Sequence, residues 1–420
     1  MPTQLHTDLL SNAAGCSRRK VLHRLAGAGS AAGLAAVLPG CGGGDSPVPM
    51  ERAQELVEAQ AEPLPAARTL HSGLDYPWGL DFLPDKSMLV TERVGRLRRV
   101  SADGIRSSTV SGTPTARIQN AGHGGLLDVA VDTEGGDIWV YLSYAEWGTG
   151  DQRNHAGTAV ARARLVGNDL RDFAVIFRAL PKYPLCISKY HYGSRLLLAD
   201  GNKLFITLGE GRSEALRGQA QWLRSHLGKI VRINRDGSVP NDNPFIGREN
   251  AQPESWTLGH RNPQGLAVHP ASGDLWSSEH GPQGGDELNV IEQGRNYGWP
   301  RISHGCEYGT PVDTCTVVGG STSAPGLDQP VTHWGRVRIA PSGMTFCDGR
   351  MFSEWRNHLI LACLGGKELW RVVINGRRVA SRTRMYAATG ERFRHVRQAP
   401  DGALLLLSDE NNGRILRVAR

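Results

Sequence analysis

The residues best suited to chemistry stand in two successive loops in the second half of the chain. HRNPQGL at 260–266 places a guanidinium group, Arg261, beside an amide, Asn262, in a turn fixed by Pro263. The apolar stretch from Gly265 to Val268 that follows is typical of a strand. A cation and an amide held together at the start of a strand can bind the oxygen atoms of a ligand.

The second loop, GPQGG at 281–285, has the composition of a site for a hard cation. Gly281 and Pro282 open it, and Asp286 follows its last glycine. Main-chain carbonyls and a carboxylate are oxygen ligands that Ca2+ prefers. We therefore predict Gly281, Pro282 and Asp286 as metal ligands, although glycine-rich turns beside acids also occur as ordinary turns.

Four further segments extend this pattern along the chain. They read PWGLDFLPDKSMLVTERVGRLRRV at 77–100, HYGSRLLLADGNKLFITLGEGR at 191–212, IAPSGMTF at 339–346 and ERFRHVRQAPDGALLLLSDENNGRILRV at 391–418. With the two loops, they resemble the soluble pyrroloquinoline-quinone (PQQ)-dependent aldose sugar dehydrogenases of the glucose/sorbosone dehydrogenase family. The resemblance covers residues 66–420. It implies PQQ and Ca2+ as cofactors and the oxidation of an aldose at its anomeric carbon to the lactone.

His191, in the motif HYGSRL, matches the catalytic histidine of that family. Oxidation at an anomeric carbon requires a base that removes the hydroxyl proton while hydride leaves, and imidazole titrates near neutral pH. In the family, the acid of a TLGD motif orients this histidine. Here the motif ends in Glu210, whose side chain is one methylene longer. The resemblance therefore implies His191 as the general base and Glu210 as its orienting acid.

PQQ is a flat ortho-quinone with three carboxylates, so its site needs cations, flat surfaces and a Lewis acid at the reactive carbonyl. Arg392 and Arg394, two residues apart on a predicted strand, point to the same side. They match the family's pair of arginines that bind the cofactor carboxylates. The resemblance also places Arg261 and Asn262 near the quinone oxygens, and it places the carbonyl oxygens of Gly281 and Pro282 on Ca2+.

Two positions depart from the family pattern. The family commonly has glutamine in a GQGGLL motif, and here GHGGLL at 122–127 carries His123. A neutral imidazole can still donate one hydrogen bond, so His123 is predicted to contact the cofactor, with its pKa lowered by the nearby positive charges. The family's cofactor-binding lysine falls near Gly365 and Gly366, which makes Lys367 its offset counterpart. These changes predict either weaker PQQ binding or a different acceptor or substrate.

The elements that must position these residues recur along the chain. Six units each contain apolar alternation around a turn: GLDFLPDKSMLVTE, LLDVAVDTEGGDIWVYLS, SRLLLADGNKLFITLGE, GLAVHPASGDLWSSE, GMTFCDGRMFSEWRNHLILAC and VRQAPDGALLLLSDE. This repetition predicts an all-β fold, a six-bladed β-propeller of four-stranded antiparallel sheets. A β-sandwich is disfavoured because the units are too many and too long. Residues 212–228 are the clearest candidate for a short helical insertion.

The first forty residues resemble an export signal. SRRKVL at 17–22 is similar to a twin-arginine motif, and an apolar run of signal-peptide length follows it. LPGC at 38–41 resembles a lipoprotein cleavage box, although an ordinary secretory signal with an incidental cysteine is the alternative. We therefore predict a lipoprotein signal at 1–41, a flexible tether at 42–65 and the propeller at 66–420. The predicted location is the periplasm, with a lipid at Cys41 as the membrane contact.

Charge and cysteine content add further expectations. The net charge of +7 comes from scattered arginines, which do not favour nucleic acid as a partner. Cys306 and Cys315 bracket a short loop and are predicted to form a local disulfide. Cys347 and Cys363 are expected to end neighbouring strands of one blade, and Cys186 is expected to be a buried thiol.

Two alternative functions remain open. A calcium-dependent propeller hydrolase, such as a lactonase, would keep the metal loop but would need several carboxylates at the channel. The sequence offers few, namely Asp128, Glu210 and Asp286. A non-catalytic carbohydrate-binding propeller would tolerate the changes at His123 and near Lys367. The sugar, the electron acceptor and the oligomeric state are not encoded in any of these motifs.

Overall fold

The structure, a computed structural model, describes residues 64–133 and 135–420. In that part of the chain, 25 strands form six antiparallel sheets arranged in a ring. Five sheets have four strands, and the remaining sheet has a fifth strand paired at its side. The predicted six-bladed β-propeller is confirmed. The predicted signal at 1–41 and nearly all of the tether lie outside the described residues.

The strands are numbered in chain order, and β1 is Ala67–Asp75. Blade 1 contains β2 Pro77–Phe82, β3 Met88–Glu92, β4 Arg96–Val100 and β5 Ser107–Val110. Blade 2 contains β6 Leu126–Asp132, β7 Trp139–Trp147, β8 His155–Val166, β9 Asp169–Arg178 and β10 Tyr183–Pro184. Blade 3 contains β11 Leu196–Ala199, β12 Lys203–Leu208, β13 Lys229–Asn234 and β14 Ser255–Leu258.

The second half of the ring follows the same order. Blade 4 contains β15 Pro263–Val268, β16 Leu275–Glu279, β17 Glu287–Ile291 and β18 Thr332–His333. Blade 5 contains β19 Pro341–Phe346, β20 Leu359–Cys363, β21 Glu368–Asn375 and β22 Arg378–Met385. Blade 6 combines β23 Phe393–Gln398, β24 Leu404–Ser408 and β25 Asn411–Val418 with β1.

The two ends of the described chain close the ring together. β1 runs antiparallel to β25, with Ala67 opposite Val418 and Asp75 opposite Asn411. The first strand thus completes the last sheet. Ring closure of this kind leaves only short, protected strand edges.

Apolar contacts between neighbouring blades hold the ring. Leu89 and Leu97 of blade 1 pack in one buried cluster with Leu142 and Ala161 of blade 2. Alternate side chains of a strand point to opposite faces, so each sheet presents apolar residues to the blade on either side. Burial of one leucine side chain contributes about 1.5–3 kcal/mol. Repeated around the ring, these interfaces fix the position of each blade.

The first strand of each blade lines the central channel, where it contacts the first strand of the next blade. These inner strands are β2, β6, β11, β15, β19 and β23. Every blade starts at the centre and proceeds outward, so the residues that precede the inner strands meet at one end of the channel. This arrangement gathers residues that are far apart in sequence.

The predicted helical insertion at 212–228 is shorter than expected. It contains one α-helix, α1, at Glu214–Arg217, followed by a 3-10 turn at Gly218–Gln221. The remaining 3-10 turns of the described chain are Thr115–Arg117, Gly150–Gln152, Ser353–Trp355 and Ala387–Thr389. No helix in residues 64–133 and 135–420 is long and apolar enough to cross a membrane.

The cysteines follow the sequence expectations with one exception. Cys306 and Cys315 form the predicted disulfide, with 6.1 Å between their Cα atoms. Cys347 directly follows β19 and Cys363 ends the adjacent β20, and both are buried free thiols. The prediction for Cys186 is wrong. Cys186 is exposed rather than buried, because it lies in the turn after β10.

Candidate active site

A cavity opens at the end of the channel where the inner strands begin. The open space between its walls, including the solvent-filled mouth, is about 870 Å³. Six of the eleven predicted site residues line it, namely His123, His191, Gly281, Asp286, Arg392 and Arg394. The structure therefore brings together side chains contributed by four different blades or their connecting loops.

A buried histidine and a buried acid form the centre of the cavity wall. Nδ1 of His191 lies 2.9 Å from Oε1 of Glu210. Gly209 allows this approach, because a Cβ atom there would lie 2.2 Å from the carbonyl oxygen of His191. His191 itself has a left-handed backbone conformation, with φ of 57°. The TLGE turn thus brings the acid to the loop that precedes β11.

The environment of this pair sets its protonation. Burial, aided by the positive charge of Arg261, holds the pKa of His191 well below its usual value. Burial raises the pKa of Glu210 to about 7, against the opposing charge of Arg261. When Glu210 is ionised, neutral His191 donates Nδ1–H to it, and Nε2 is left to accept a proton from a ligand in the cavity.

Arg261 and Asn262 lie behind the cavity wall rather than in it. The guanidinium group of Arg261 donates to the carbonyl oxygens of His280, at 3.2 Å, and Gly281. The side-chain oxygen of Asn262 accepts a hydrogen bond from the backbone N–H of Gly193 at 3.2 Å. In this structure both residues hold the loops that line the cavity. Their predicted contact with a cofactor stays a prediction.

The predicted arginine pair shares one carboxylate that sequence reasoning missed. Nη2 of Arg392 donates to Oδ2 of Asp409 at 2.9 Å, and Nη2 of Arg394 donates to Oδ1 at 3.0 Å. The two arginines therefore point to the same side, as predicted. Burial alone would raise the pKa of Asp409, but the charges of Arg394 and Arg392 hold it at about 2. The pairing of β23 with β24 places Phe393 opposite Ser408. This register is the sequence signal that could have identified Asp409.

Positive charge dominates the cavity. Its described walls carry five arginines and two aspartates: Arg93, Arg212, Arg338, Arg392, Arg394, Asp286 and Asp409. Sequence reasoning missed Arg93, Arg212 and Arg338, because each stands alone in its segment and resembles a solvated surface charge. A cavity of this composition favours a ligand with several negative charges.

Two further histidines stand in the cavity. His123 is exposed at the mouth, with its ring centroid 5.9 Å from that of His191 and 4.8 Å from that of Tyr190. Desolvation by the surrounding protein and the positive charges of Arg394 and Arg93 lower its pKa to about 3. His280 was missed, although it directly precedes Gly281. Its Nε2 is buried without a hydrogen-bond partner among the described residues, which points to a ligand as the missing partner.

Asp286, which directly follows the GPQGG loop, fixes the loop through hydrogen bonds. Oδ1 of Asp286 accepts a hydrogen bond from the N–H of Gly281 at 2.9 Å. Oδ2 accepts from the N–H groups of Ile339 and Ala340, each at 2.8 Å. Burial raises the pKa of Asp286 to about 6. Asp286 therefore holds the loop against the start of β19.

The oxygen ligands that this loop can offer a cation are therefore mostly main-chain carbonyls. Gly281 lines the cavity, whereas Pro282 lines a small adjoining space. No group of three or more His, Cys, Asp or Glu side chains converges as a metal site in residues 64–133 and 135–420. A cation here would rely on carbonyl oxygens and on oxygen atoms of the ligand itself, which fits Ca2+ better than Zn2+.

Lys367 is not in the cavity. It lies exposed in a left-handed turn, with φ of 54°, and Gly365 lines the cavity in its place. Because Lys367 lies two residues after Gly365 in this turn, its side chain does not line the cavity. Its predicted contact with a cofactor has no support in this geometry.

Comparison with known proteins identifies similar sequences and similar folds. The sequence profile of the Glucose / Sorbosone dehydrogenase family matches residues 74–417. The aldose sugar dehydrogenase YliI of Escherichia coli (strain K12) is 40% identical over 360 residues, which cover 83% of this chain and 91% of that protein. A crystal structure of a glucose dehydrogenase is 42% identical with a TM-score of 0.77, covering 85% of this chain and 100% of that one. The PQQ-bound aldose sugar dehydrogenase of Streptomyces coelicolor is 28% identical with a TM-score of 0.68, covering 84% and 96%.

Proposed function

Because the chain belongs to the glucose/sorbosone dehydrogenase family and is a sugar dehydrogenase that acts on an aldose, we propose a specific reaction. It is the oxidation of the anomeric carbon to the lactone, with PQQ as hydride acceptor, Ca2+ as Lewis acid and His191 as general base. The observation that carries this proposal is the buried His191–Glu210 pair facing a cavity lined by arginines.

The residues of the cavity fit PQQ. Its three carboxylates need cations, and Arg392 and Arg394 would hold them, with Asp409 fixing both guanidinium groups. Trp78 and His123 offer flat surfaces on the wall. The buried Nε2 of His280 has no hydrogen-bond partner in the described chain, so it suits an oxygen of the quinone end. Main-chain carbonyls of the GPQGG loop would bind the cation.

When bound, PQQ and Ca2+ supply a polarised ortho-quinone that accepts hydride. The protein supplies the proton transfer. As the substrate loses hydride from its anomeric carbon, Nε2 of His191 takes the proton of the anomeric hydroxyl. Ionised Glu210 keeps Nδ1 protonated and stabilises the imidazolium that forms, as the acid of a catalytic triad does. The carbon–oxygen bond becomes the carbonyl of the lactone.

The geometry disfavours the two alternatives. A hydrolase would need converging free carboxylates, but Asp128 is ion-paired to Arg195 at 2.9 Å and Asp286 accepts three backbone hydrogen bonds. A carbohydrate-binding propeller has no need of a buried acid with a pKa of about 7 beside a neutral histidine.

We also propose that the protein is exported and lipid-anchored in the periplasm. The support is the sequence of residues 17–41, which lies outside the described residues. The electron acceptor is not specified by any feature of the site.

The test is reconstitution of purified protein with PQQ and CaCl2, followed by dye reduction with a panel of aldoses. Aldose-dependent dye reduction that disappears without PQQ supports the proposal, and removal of Ca2+ with EGTA should lower the rate. His191→Ala is the matched control, since it should bind PQQ and fail to turn over. A wild-type protein that binds PQQ and oxidises no aldose would overturn the reaction proposed here.

A further inference from the structure

One arginine of the cavity wall, Arg212, is held between two aromatic rings. The guanidinium group of Arg212 lies 5.1 Å from the ring centroid of Tyr190 and 4.8 Å from that of Tyr308. It makes no hydrogen bond or ion pair with the rest of the described chain. The cation is therefore held between two aromatic faces, with its N–H donors left for a ligand.

Three of the other four arginines of the cavity have hydrogen-bond partners in the protein. Arg392 and Arg394 bind Asp409, and Arg93 donates to the carbonyl oxygens of Gly122 and, at 3.1 Å, Gly124. These contacts orient the three guanidinium groups before any ligand arrives. Arg212 is positioned by aromatic packing alone, so its hydrogen-bonding capacity is unused.

Arg212 belongs to the wall that carries the base. It follows Glu210 by two residues, and Tyr190 directly precedes His191. The Tyr190 ring also contacts His123, at 4.8 Å between centroids. Arg338, the other cavity arginine without a hydrogen bond to the described residues, precedes β19 in blade 5 and belongs to a different wall. Arg212 is close enough to His191 for its charge to lower the pKa of the imidazole, so it is placed to contact a ligand whose reacting carbon lies at His191.

The backbone at Arg212 is also unusual. Its φ is 46°, in the left-handed region that side chains other than glycine seldom adopt. Residues held in such conformations cluster at functional sites. The loop accepts this conformation and directs a long cationic side chain to the cavity.

We propose that Arg212, between Tyr190 and Tyr308, binds a negatively charged substituent of the sugar, so that the preferred substrates are acidic aldoses. This inference rests on the proposed dehydrogenase function. The aromatic rings provide surfaces for the sugar, and the guanidinium group provides a paired donor for a carboxylate or a phosphate. The subsite would recognise either anion by the same charged hydrogen bonds. Comparison of a sugar carboxylate with a sugar phosphate shows which of the two it prefers.

The experiment compares sugars that differ only in charge. For the PQQ- and Ca2+-loaded enzyme, kcat/KM is measured for glucose, glucuronate and glucose 6-phosphate, and for galactose and galacturonate. We expect at least one charged sugar to exceed its neutral counterpart by about tenfold or more, the scale of one charged hydrogen bond. Arg212→Gln should remove that preference, and Arg212→Lys should keep part of it. Arg338→Gln should preserve the ratio of charged to neutral sugar.

The outcomes separate this inference from the reaction on which it rests. Equal kcat/KM for charged and neutral sugars in wild type overturns the role of Arg212. So does an Arg212→Gln variant that weakens PQQ binding and leaves the sugar ratio unchanged, because Arg212 would then bind the cofactor. Calorimetry with methyl glucuronide and methyl glucoside, which are blocked at the anomeric carbon, measures binding without turnover. Selective binding of the glucuronide that is lost in Arg212→Gln supports the subsite even if no aldose is oxidised.

Discussion

Glu210 should set the acid limit of catalysis. Its carboxyl group, buried with a pKa of about 7, lies 2.9 Å from Nδ1 of His191. While Glu210 is ionised, it accepts Nδ1–H and leaves Nε2 of the imidazole able to take a proton. Once Glu210 is protonated, it donates to Nδ1, and the ring hydrogen moves to Nε2. Neutral His191 then has no free lone pair facing the substrate, so the rate should fall as pH drops through about 7.

The size of the effect follows from the titration. With a pKa of about 7, about one tenth of Glu210 is ionised at pH 6, so kcat/KM should be about tenfold below its plateau there. Glu210→Gln removes the titrating group and its negative charge. Its kcat should fall by about 100-fold or more, the scale of losing a positioned base, and the acid limb near pH 7 should vanish. Glu210→Asp keeps a carboxylate and should keep an acid limb.

Initial rates of dye reduction from pH 5 to pH 9 provide the measurement. PQQ absorbance at each pH shows whether the cofactor stays bound, so that a loss of cofactor is not mistaken for a loss of the base. The reasoning is refuted if Glu210→Gln retains the same acid limb as wild type, or if wild-type activity is flat down to pH 5.

Four further outcomes are expected. His191→Ala should cut turnover by about 100-fold or more while PQQ titration stays near wild type; unchanged turnover would remove His191 from the mechanism. Replacing Arg392 or Arg394 by Ala should weaken PQQ binding by about 1.5–3 kcal/mol, whereas equal affinity in both variants would show that neither binds the cofactor. The pKa of Asp409 is lowered from 3.8 to about 2. Ionised Asp409 therefore stabilises the folded protein fully above about pH 4, and this contribution is lost as the pH falls through about 2. In urea unfolding, the free energy of unfolding of Asp409→Asn should be about 2 kcal/mol below that of wild type at pH 7, and this difference should shrink toward pH 2. A difference that does not change with pH would contradict this reasoning. Cys41→Ser should move the protein from the membrane fraction to the soluble periplasm, and a wild-type protein already soluble there would argue for a plain signal peptide.

The ring was predictable because each blade carries its own local signal. Period-two patterning around a turn identifies a strand pair without knowledge of its neighbours. The closure of blade 6 has no such signal, since β1 pairs with β25 about 340 residues later in the chain. The fifth strand of blade 2, β9, is also absent from the four-stranded pattern of the other blades. It pairs with β8 outside the order β10-β8-β7-β6 of that sheet. Pairings of this kind depend on tertiary contacts that no short window contains.

The site was predictable where a motif fixes both residue and strand. His191 and the arginine pair stand at the start of inner strands, so they reach the cavity. Arg93, Arg212 and Arg338 could not be told from surface charges, because only the closed ring shows which loops meet at the mouth. Lys367 shows the limit of an offset match. A lysine near the expected position does not reach the cavity when the turn places Gly365 there instead.

The charge of the cavity also explains how His123 can stand where the family commonly has glutamine. An amide has one donor group and one acceptor and carries no charge, and a neutral imidazole offers the same pair. An imidazolium would offer only donors and would add a charge beside the arginines. Desolvation and the charges of Arg394, Arg93 and Arg212 lower the pKa of His123 to about 3, which is the direction predicted from the sequence. The same positive surroundings that favour an anionic ligand therefore keep His123 in the one protonation state that can substitute for glutamine.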